Sequence, residues 1–258
     1  MSENPHPRAD ELDGLSALDF MRLMHAEDVR AVDAIASQLG QVAAAVEAIT
    51  ERLHSGGRLH YFGAGTSGLI ARLDAAECPA TFGVSADLIQ AHAVEEAAGE
   101  DDAELGRRAA RRAAIGAHDV AAGVSASGRT AYVLGALAEA RSGLRVAITC
   151  NPGSPIGELA DIAIEVETGP EVIAGSTRLK AGTVQKLVLN MLSTAVFTRM
   201  GRTHRGRMVG LVAGNEKLRE RAARIVADLT GLSLEEARTR LDEAGGDMTA
   251  VLSGVRRA

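Results

Sequence analysis

The chain has few aromatic residues, two cysteines and six prolines among its 258 residues. Aromatic residues make up 2% and tryptophan is absent, so the core must be aliphatic, which favours close packing of helices on a sheet over a large apolar cofactor pocket. Two cysteines cannot form a disulfide framework, and neither Cys78 nor Cys150 has metal-ligand partners at a useful spacing. We therefore expect no metal and no other cofactor.

Long apolar runs and clustered basic charge are also missing. No apolar stretch of about 18 residues and no signal-like N-terminus occur, so we expect a cytoplasmic protein without a membrane-spanning segment. The net charge is −6, and the arginines of residues 107–112 alternate with alanines at helical spacing, as on a solvated helix face. A nucleic-acid partner requires a basic patch, so none is expected.

What the chain does contain is an alternation of short β-rich runs with helical patterns. This alternation predicts an α/β fold with a three-layer arrangement, in which helices cover both faces of a parallel sheet. After a flexible segment 1–13, we expect N-terminal helices in residues 14–57, the α/β core in 58–205 and a C-terminal helical module in 206–258. Strands are predicted at residues 59–62, 87–90, 120–125, 145–149 and 162–166, and helices at 29–54, 103–115, 130–141 and 178–200, with an earlier helix capped by Ser16.

A glycine-rich turn follows the first predicted strand. Residues 58–68 read R-L-H-Y-F-G-A-G-T-S-G, so Gly65, Thr66 and Ser67 stand between the strand and a helix. Backbone N–H groups in such a turn can approach an anion, and the positive end of the helix dipole points to the same place. The spacing departs from the dinucleotide fingerprint, and the hydroxyl groups suit a phosphomonoester. A tight connection without a ligand is the alternative.

Two further hydroxyl-bearing turns follow later predicted strands. Ser125, Ser127 and Thr130 lie in the first of them, and residues 150–155 form the second. Helix capping explains each turn taken alone. Because ligands of open parallel sheets bind beyond the carboxyl ends of the strands, the recurrence favours one composite site for a phosphorylated small molecule.

Several motifs resemble those of the N-acetylmuramic acid 6-phosphate etherases, a branch of the sugar isomerase (SIS) fold. The run G-S-T-R-L-K-A-G-T-x-Q-K and the D-A-x-E-C-P block are more specific than the general fold requires. The resemblance begins at residue 15 and continues into the small helical tail after Asn215. It is carried by residues 15–28, 58–82, 127–133, 150–155 and 169–190.

The resemblance implies cleavage of the D-lactyl ether of N-acetylmuramic acid 6-phosphate, without a metal, in cell-wall amino sugar recycling. It implies that Glu77 protonates the departing lactate and that Glu100 is the second catalytic glutamate, assigned to proton abstraction. It also implies a homodimer, in which site residues can serve the neighbouring subunit. The phosphate and sugar contacts implied are Gly65, Thr66, Ser67, Ser125, Ser127 and Thr130, with Glu171, Ser176 and Lys180 bordering the substrate.

Each of these assignments has an alternative. Glu77 can be an exposed carboxylate near a helix end, Glu100 can stabilise a helix dipole, and Ser176 can cap the following helix. A non-catalytic sugar-phosphate-binding regulator would need the hydroxyl turns but not both glutamates. A phosphosugar isomerase would need a base and a ring-opening group but not the E-C-P block.

Overall fold

The computed structural model describes residues 4–94, 97–210 and 216–255. Its contacts divide the chain into two compact units. The first contains Met1–Ala75 and Asp87–Val196, and the second contains Ala76–Ala86 and Phe197–Ala258. The predicted domain boundaries at residues 58 and 206 do not coincide with this division and stay a prediction.

A five-stranded parallel sheet forms the centre of the first unit. Its strand order is β2-β1-β3-β4-β5, so that β1 pairs with both β2 and β3. The predicted fold class, a parallel sheet with helices around it, is thereby confirmed. The strands are β1 (Leu59–Ala64), β2 (Ile89–Val94), β3 (Val120–Val124), β4 (Leu144–Thr149) and β5 (Ile162–Glu165).

All five predicted strands exist, but β2 lies later in the chain than the predicted run 87–90. Its residues Gln90, Ala91, His92 and Ala93 include few good strand formers. They are held in the sheet by register with β1, in which Ala64 lies opposite Val94. Tertiary pairing has overridden local propensity here.

The helices agree closely with the sequence pattern in the middle of the chain. The predicted helices 103–115, 130–141 and 178–200 each match an observed helix within two residues at each end, whereas the two shortest helices were not predicted. The helices from β1 to the end of α8 are α3 (Gly65–Phe82), α4 (Ala97–Glu100), α5 (Ala103–Ala113), α6 (Ala131–Glu139), α7 (Pro155–Leu159) and α8 (Lys180–Arg199). The last residues of α3 and of α8 belong to the second unit.

The N-terminal region differs from the expectation. Helix α1 (Ala17–Ala34) begins at the predicted cap, where the Ser16 side chain accepts from the N–H of Asp19. A 3-10 turn (Ile35–Gln38) separates it from α2 (Leu39–His54), so the predicted helix 29–54 is two helices. The 3-10 turn itself contains no glycine or proline, and Gly40 follows it as the second residue of α2. Part of the segment expected to be flexible forms a further 3-10 helix, Ala9–Gly14.

Small residues let α5 and α6 pack with their backbones in near contact. A Cβ atom on Gly106 would lie 1.9 Å from the carbonyl oxygen of Tyr132, and one on Gly135 would lie 1.9 Å from that of Ala103. The alanine-rich buried face of α5 fits this arrangement, as do the buried Val133 and Leu137 of α6. The scarcity of aromatic residues thus corresponds to a tightly packed helix pair.

In its described residues, the second unit contains a short hairpin and three complete helices, besides the ends of α3 and α8. Its hydrophobic core includes Val209, Val226, Leu241 and Met248. The hairpin strands are β6 (Thr203–His204) and β7 (Arg207–Met208), and the helices are α9 (Glu216–Thr230), α10 (Leu234–Glu243) and α11 (Met248–Val255). Of the helices described, none is long and apolar enough to cross a membrane.

Candidate active site

The glycine turn after β1 is as tight as its sequence requires. Gly65 has a φ of +53°, which favours glycine, and a Cβ on Gly63 would come within 2.9 Å of the backbone of Gly68. Thr66 and Ser67 therefore lie in the first turn of α3, where backbone N–H groups have no intrahelical acceptor. This is a suitable place for an anion.

The turn after β3 gathers three hydroxyl groups. Ser125 Oγ lies 2.8 Å from Thr130 Oγ1 and 3.5 Å from Ser127 Oγ. The N–H of Gly128 donates to Ser125 Oγ at 3.1 Å. This arrangement holds the hydroxyl groups of Ser125 and Thr130 against each other.

Glu100 reaches both turns from the end of α4. Its Oε1 accepts from Thr130 Oγ1 at 3.5 Å, and its Oε2 lies 3.9 Å from the position of a Cβ on Gly65. An ionised carboxylate only accepts hydrogen bonds. The chain of donors therefore runs from Gly128 through Ser125 and Thr130 to Glu100, and the structure brings this glutamate together with the two predicted phosphate-site turns.

The third predicted turn uses its hydroxyl within the protein. Ser154 Oγ donates to Glu165 Oε1 at 3.1 Å and accepts from the N–H of Gly157 at the start of α7. A Cβ on Gly128 would lie 2.3 Å from the Ser154 side chain, so the second and third turns are packed together. The capping interpretation describes Ser154 well.

The start of α8 is capped by a buried carboxylate. Glu171 is fully buried and accepts from the backbone N–H groups of Lys180 at 3.0 Å and Ala181 at 2.9 Å. Ser176 is half-buried in the loop between Glu171 and the helix. The sequence did not identify Glu171 as the cap, because it lies nine residues before the first N–H group that it accepts.

Lys180 forms a buried ion pair with Glu27, a partner that sequence reasoning missed. Lys180 Nζ lies 2.7 Å from Glu27 Oε2, and His6 and Arg30 also contact the Glu27 carboxylate. Burial opposes ionisation of Glu27, but the hydrogen bond and charge of Lys180 outweigh it and hold the pKa of Glu27 below its ordinary value. That Lys180 borders the substrate stays a prediction.

Helix α8 also lies directly against the glycine turn. A Cβ on Gly182 would lie 3.6 Å from Thr66 Cγ2, and Ser67 Oγ is hydrogen-bonded to Gln185 Oε1 at 2.9 Å. Both side chains of this hydrogen bond are buried. Gln185 was not predicted, although it belongs to the specific G-T-x-Q-K run.

Glu77 lies on α3, the helix that begins at the glycine turn. It is exposed, in the C-terminal half of α3, and belongs to the second compact unit. Leu69 and Leu73 precede it at four-residue steps on the same helix and are also exposed. Its assignment as the acid stays a prediction.

A pair of histidines lies across β1 and β2. His60 Nδ1 is 3.0 Å from His92 Nε2, and the two rings stack. Burial, together with the nearby His92 and Arg58, lowers the pKa of His60 to about 4. Both rings are accordingly neutral at physiological pH, in agreement with a packing role for His60.

Metal-ligand groups and cavities could each provide a further site among the described residues. Within residues 4–94, 97–210 and 216–255, no group of three or more His, Cys, Asp and Glu side chains could hold a metal ion. A cavity of about 850 Å³ in the second unit is lined by residues that include Arg202, Leu241 and Met248. None of the residues seen to line it is a predicted site residue.

Comparisons with known proteins agree with this fold and give the family. The family model described as the SIS domain matches residues 26–149. A phosphoheptose isomerase structure from Francisella tularensis is 18% identical and superimposes with a TM-score of 0.54, covering 71% of this chain and 100% of that one. At this identity the likeness concerns the fold alone.

Closer relatives give the particular family. A protein of Rubrobacter xylanophilus named N-acetylmuramic acid 6-phosphate etherase is 45% identical over 99% of this chain and 89% of its own length. One of the same name from Cutibacterium acnes is 48% identical over 95% of this chain and 84% of its own length. The chain belongs to the N-acetylmuramic acid 6-phosphate etherase family.

Proposed function

We propose that this protein is a lyase that cleaves the D-lactyl ether of N-acetylmuramic acid 6-phosphate, in cytoplasmic recycling of cell-wall amino sugars. The products are N-acetylglucosamine 6-phosphate and D-lactate. Relatives that carry the etherase name, among them those of Jannaschia, Aeromonas hydrophila and Cutibacterium acnes, are 42–48% identical over nearly the whole chain. The structural observation that carries the proposal is the position of Glu100 between the two hydroxyl-bearing turns.

The phosphate of the substrate binds at the start of α3 in this proposal. Backbone N–H groups there, with the hydroxyls of Thr66, Ser67 and Ser127, donate to its oxygens. Ser125 and Thr130 hold Glu100 and contact the sugar. Glu171 and Ser176 border the site from the connection before α8, and Lys180 borders it as the first residue of that helix.

The reaction needs the open-chain aldehyde of the sugar, in which the proton on carbon 2 is acidic and the lactyl oxygen is β to the carbonyl. Glu100 accepts the carbon 2 proton, and the electron pair left behind forms the double bond to carbon 3 as the carbon–oxygen bond breaks. Glu77 protonates the departing lactate oxygen. Water then adds across the double bond, with its hydroxyl on carbon 3 and its proton on carbon 2.

Glu77 is exposed on a stripe with Leu69 and Leu73, and we propose that a second copy of the chain covers this stripe. Helix α1 carries another exposed apolar stripe. Such stripes on a chain of this size favour a homodimer. In that dimer, Glu77 can act at a site completed by the partner.

The test is D-lactate release by the purified chain, with unphosphorylated N-acetylmuramic acid as the substrate control. Glu100→Gln removes the proton acceptor while keeping the shape of the side chain, and we expect kcat to fall by about 10²- to 10⁴-fold. Glu77→Gln should also abolish release, with phosphosugar affinity within a few fold of the unmodified chain. Glu47→Gln, at an exposed position on α2, is the matched control and should be neutral.

Two other results would contradict the etherase. Binding of the phosphosugar without D-lactate release would support a sugar-phosphate-binding regulator. Conversion of hexosamine 6-phosphates without ether cleavage would support an isomerase.

A further inference from the structure

The side-chain amide of Gln185 lies directly behind the glycine turn, and among the described residues only its oxygen atom is hydrogen-bonded. Gln185 is 1% exposed, and its Oε1 accepts from Ser67 Oγ at 2.9 Å. Within the described part of the chain, its Nε2 has no hydrogen-bond partner. A buried donor without a partner costs about 1–3 kcal/mol, so this arrangement needs an explanation.

Rotation of the amide by 180° exchanges its oxygen and nitrogen without changing its shape. Gln185 Nε2 then donates to Ser67 Oγ, and Oε1 takes the position that has no partner. Buried carbonyl oxygens lack a partner more often than buried N–H groups do. The rotated amide therefore leaves the less costly atom unsatisfied.

The orientation of the Gln185 amide decides whether the Ser67 hydroxyl can donate a hydrogen bond to a ligand. When Ser67 donates to Gln185 Oε1, its only proton is used and it cannot donate to an anion. When Gln185 Nε2 donates instead, Ser67 keeps its proton for a ligand. A phosphate monoester dianion offers only acceptors, so it can bind Ser67 only in the second case.

The proton of Ser67 matters because its neighbours are already committed. In the chain of hydrogen bonds that ends at Glu100, Ser125 donates its hydroxyl proton to Thr130, and Thr130 donates its own to Glu100. They cannot give the same protons to a phosphate. Ser67 is thus one of the few hydroxyls near the start of α3 that can donate to it.

We propose that Gln185 is a positioning residue that sets the direction of the Ser67 hydroxyl proton. In the phosphosugar-bound protein, Gln185 donates its amide N–H to Ser67, and Ser67 donates to the phosphate. The proposal rests on the phosphate site of the proposed function and extends it to a residue behind that site.

Gln185→Glu tests the proposal because a carboxylate keeps the size of the amide but only accepts. It preserves the hydrogen bond from Ser67 and removes the reverse one. The measurement is the dissociation constant of N-acetylglucosamine 6-phosphate at pH 8 by calorimetry. The added negative charge is controlled by making the same change in the Ser67→Ala background.

We expect Gln185→Glu to weaken binding by about 30-fold alone and by about threefold in the Ser67→Ala background, a tenfold coupling of about 1.4 kcal/mol. Equal losses in the two backgrounds would overturn the proposal, as would wild-type binding by Gln185→Glu. Failure of the unmodified chain to bind the phosphosugar would overturn it together with the proposed phosphate site. Binding with the expected coupling but without D-lactate release would refute only the etherase.

Gln185→Met provides a second variant if the charged one does not fold. It removes both donor and acceptor, so the Ser67 proton stays available and binding should weaken by only about threefold. No loss is expected in the Ser67→Ala background. A loss as large as that of Ser67→Ala alone would mean that Gln185 acts through packing, and it would overturn the proposal.

Discussion

His60 makes the stability of the protein depend on pH because its ring is buried. Its folded-state pKa is about 4, below the ordinary value of 6.5, so the unfolded chain binds more protons between these pH values. The contribution of His60 to stability is therefore fully present above about pH 6.5. It is lost progressively as the pH falls toward about 4.

We expect His60→Asn to flatten the dependence of the melting temperature on pH between pH 7 and pH 5. The exposed His118 provides the control, because His118→Asn should leave that dependence unchanged. His92, whose pKa is lowered chiefly by burial, should contribute to the slope that remains. An unchanged slope in His60→Asn would show that other groups cause the acid sensitivity.

At the scale of elements, the start of α8 depends on one side chain. Glu171 accepts two backbone N–H groups there while fully buried. Its removal leaves both donors without this partner, and a hydrogen bond to a charged group contributes about 1.5–3 kcal/mol. Glu171→Ala should lower the free energy of unfolding by about 2–4 kcal/mol in urea titrations.

Glu167→Ala, at an exposed position in the same connection, should change stability by less than about 0.5 kcal/mol. If the two variants unfold at the same urea concentration, Glu171 does not hold the helix start.

The contact between α5 and α6 offers a second test at this scale. It compares a tightly packed glycine in this contact with a glycine of α2 that has open space around it. A Cβ on Gly135 would lie 1.9 Å from the Ala103 carbonyl oxygen, whereas one on Gly40 meets nothing within 4 Å. Gly135→Ala must separate the helices and should cost about 1–3 kcal/mol or more. Gly40→Ala, inside α2, should instead stabilise by up to about 1 kcal/mol because alanine favours helix. Denaturation midpoints that move in the same direction would contradict this packing.

Elements were more predictable from the sequence than the contacts between them. The strands β1, β3, β4 and β5 are short apolar runs that end in turns, so local pattern suffices to find them. The grouping of Glu100 with the turns follows from the parallel sheet, since the carboxyl ends of its strands share one edge. Glu27 and Lys180 are 153 residues apart, and Ser67 and Gln185 are 118 apart. No local signal pairs residues at such separations.

For the whole molecule, the outer stripe of α1 predicts association. Leu18, Met21, Val29 and Val32 lie at helical spacing and are 46–60% exposed. Met21→Glu with Val29→Glu places two charges on the stripe and should shift the sedimentation coefficient from that of a dimer to that of a monomer. Arg22→Glu, exposed but beside the stripe, is the control. A dimer that persists in the double variant would exclude α1 from the interface.

The ion pair between Lys180 and Glu27 also bears on how the protein is made. Ribosomes add about 5–20 residues per second, so Glu27 is synthesised about 8–30 seconds before a lysine that lies 153 residues later. The five strands are complete at Glu165, before α8 exists. The nascent chain can therefore assemble its sheet early, whereas the pairing of Glu27 with Lys180 must wait for α8. Only when α8 has been translated can Gln185 form its hydrogen bond with Ser67 in the glycine turn.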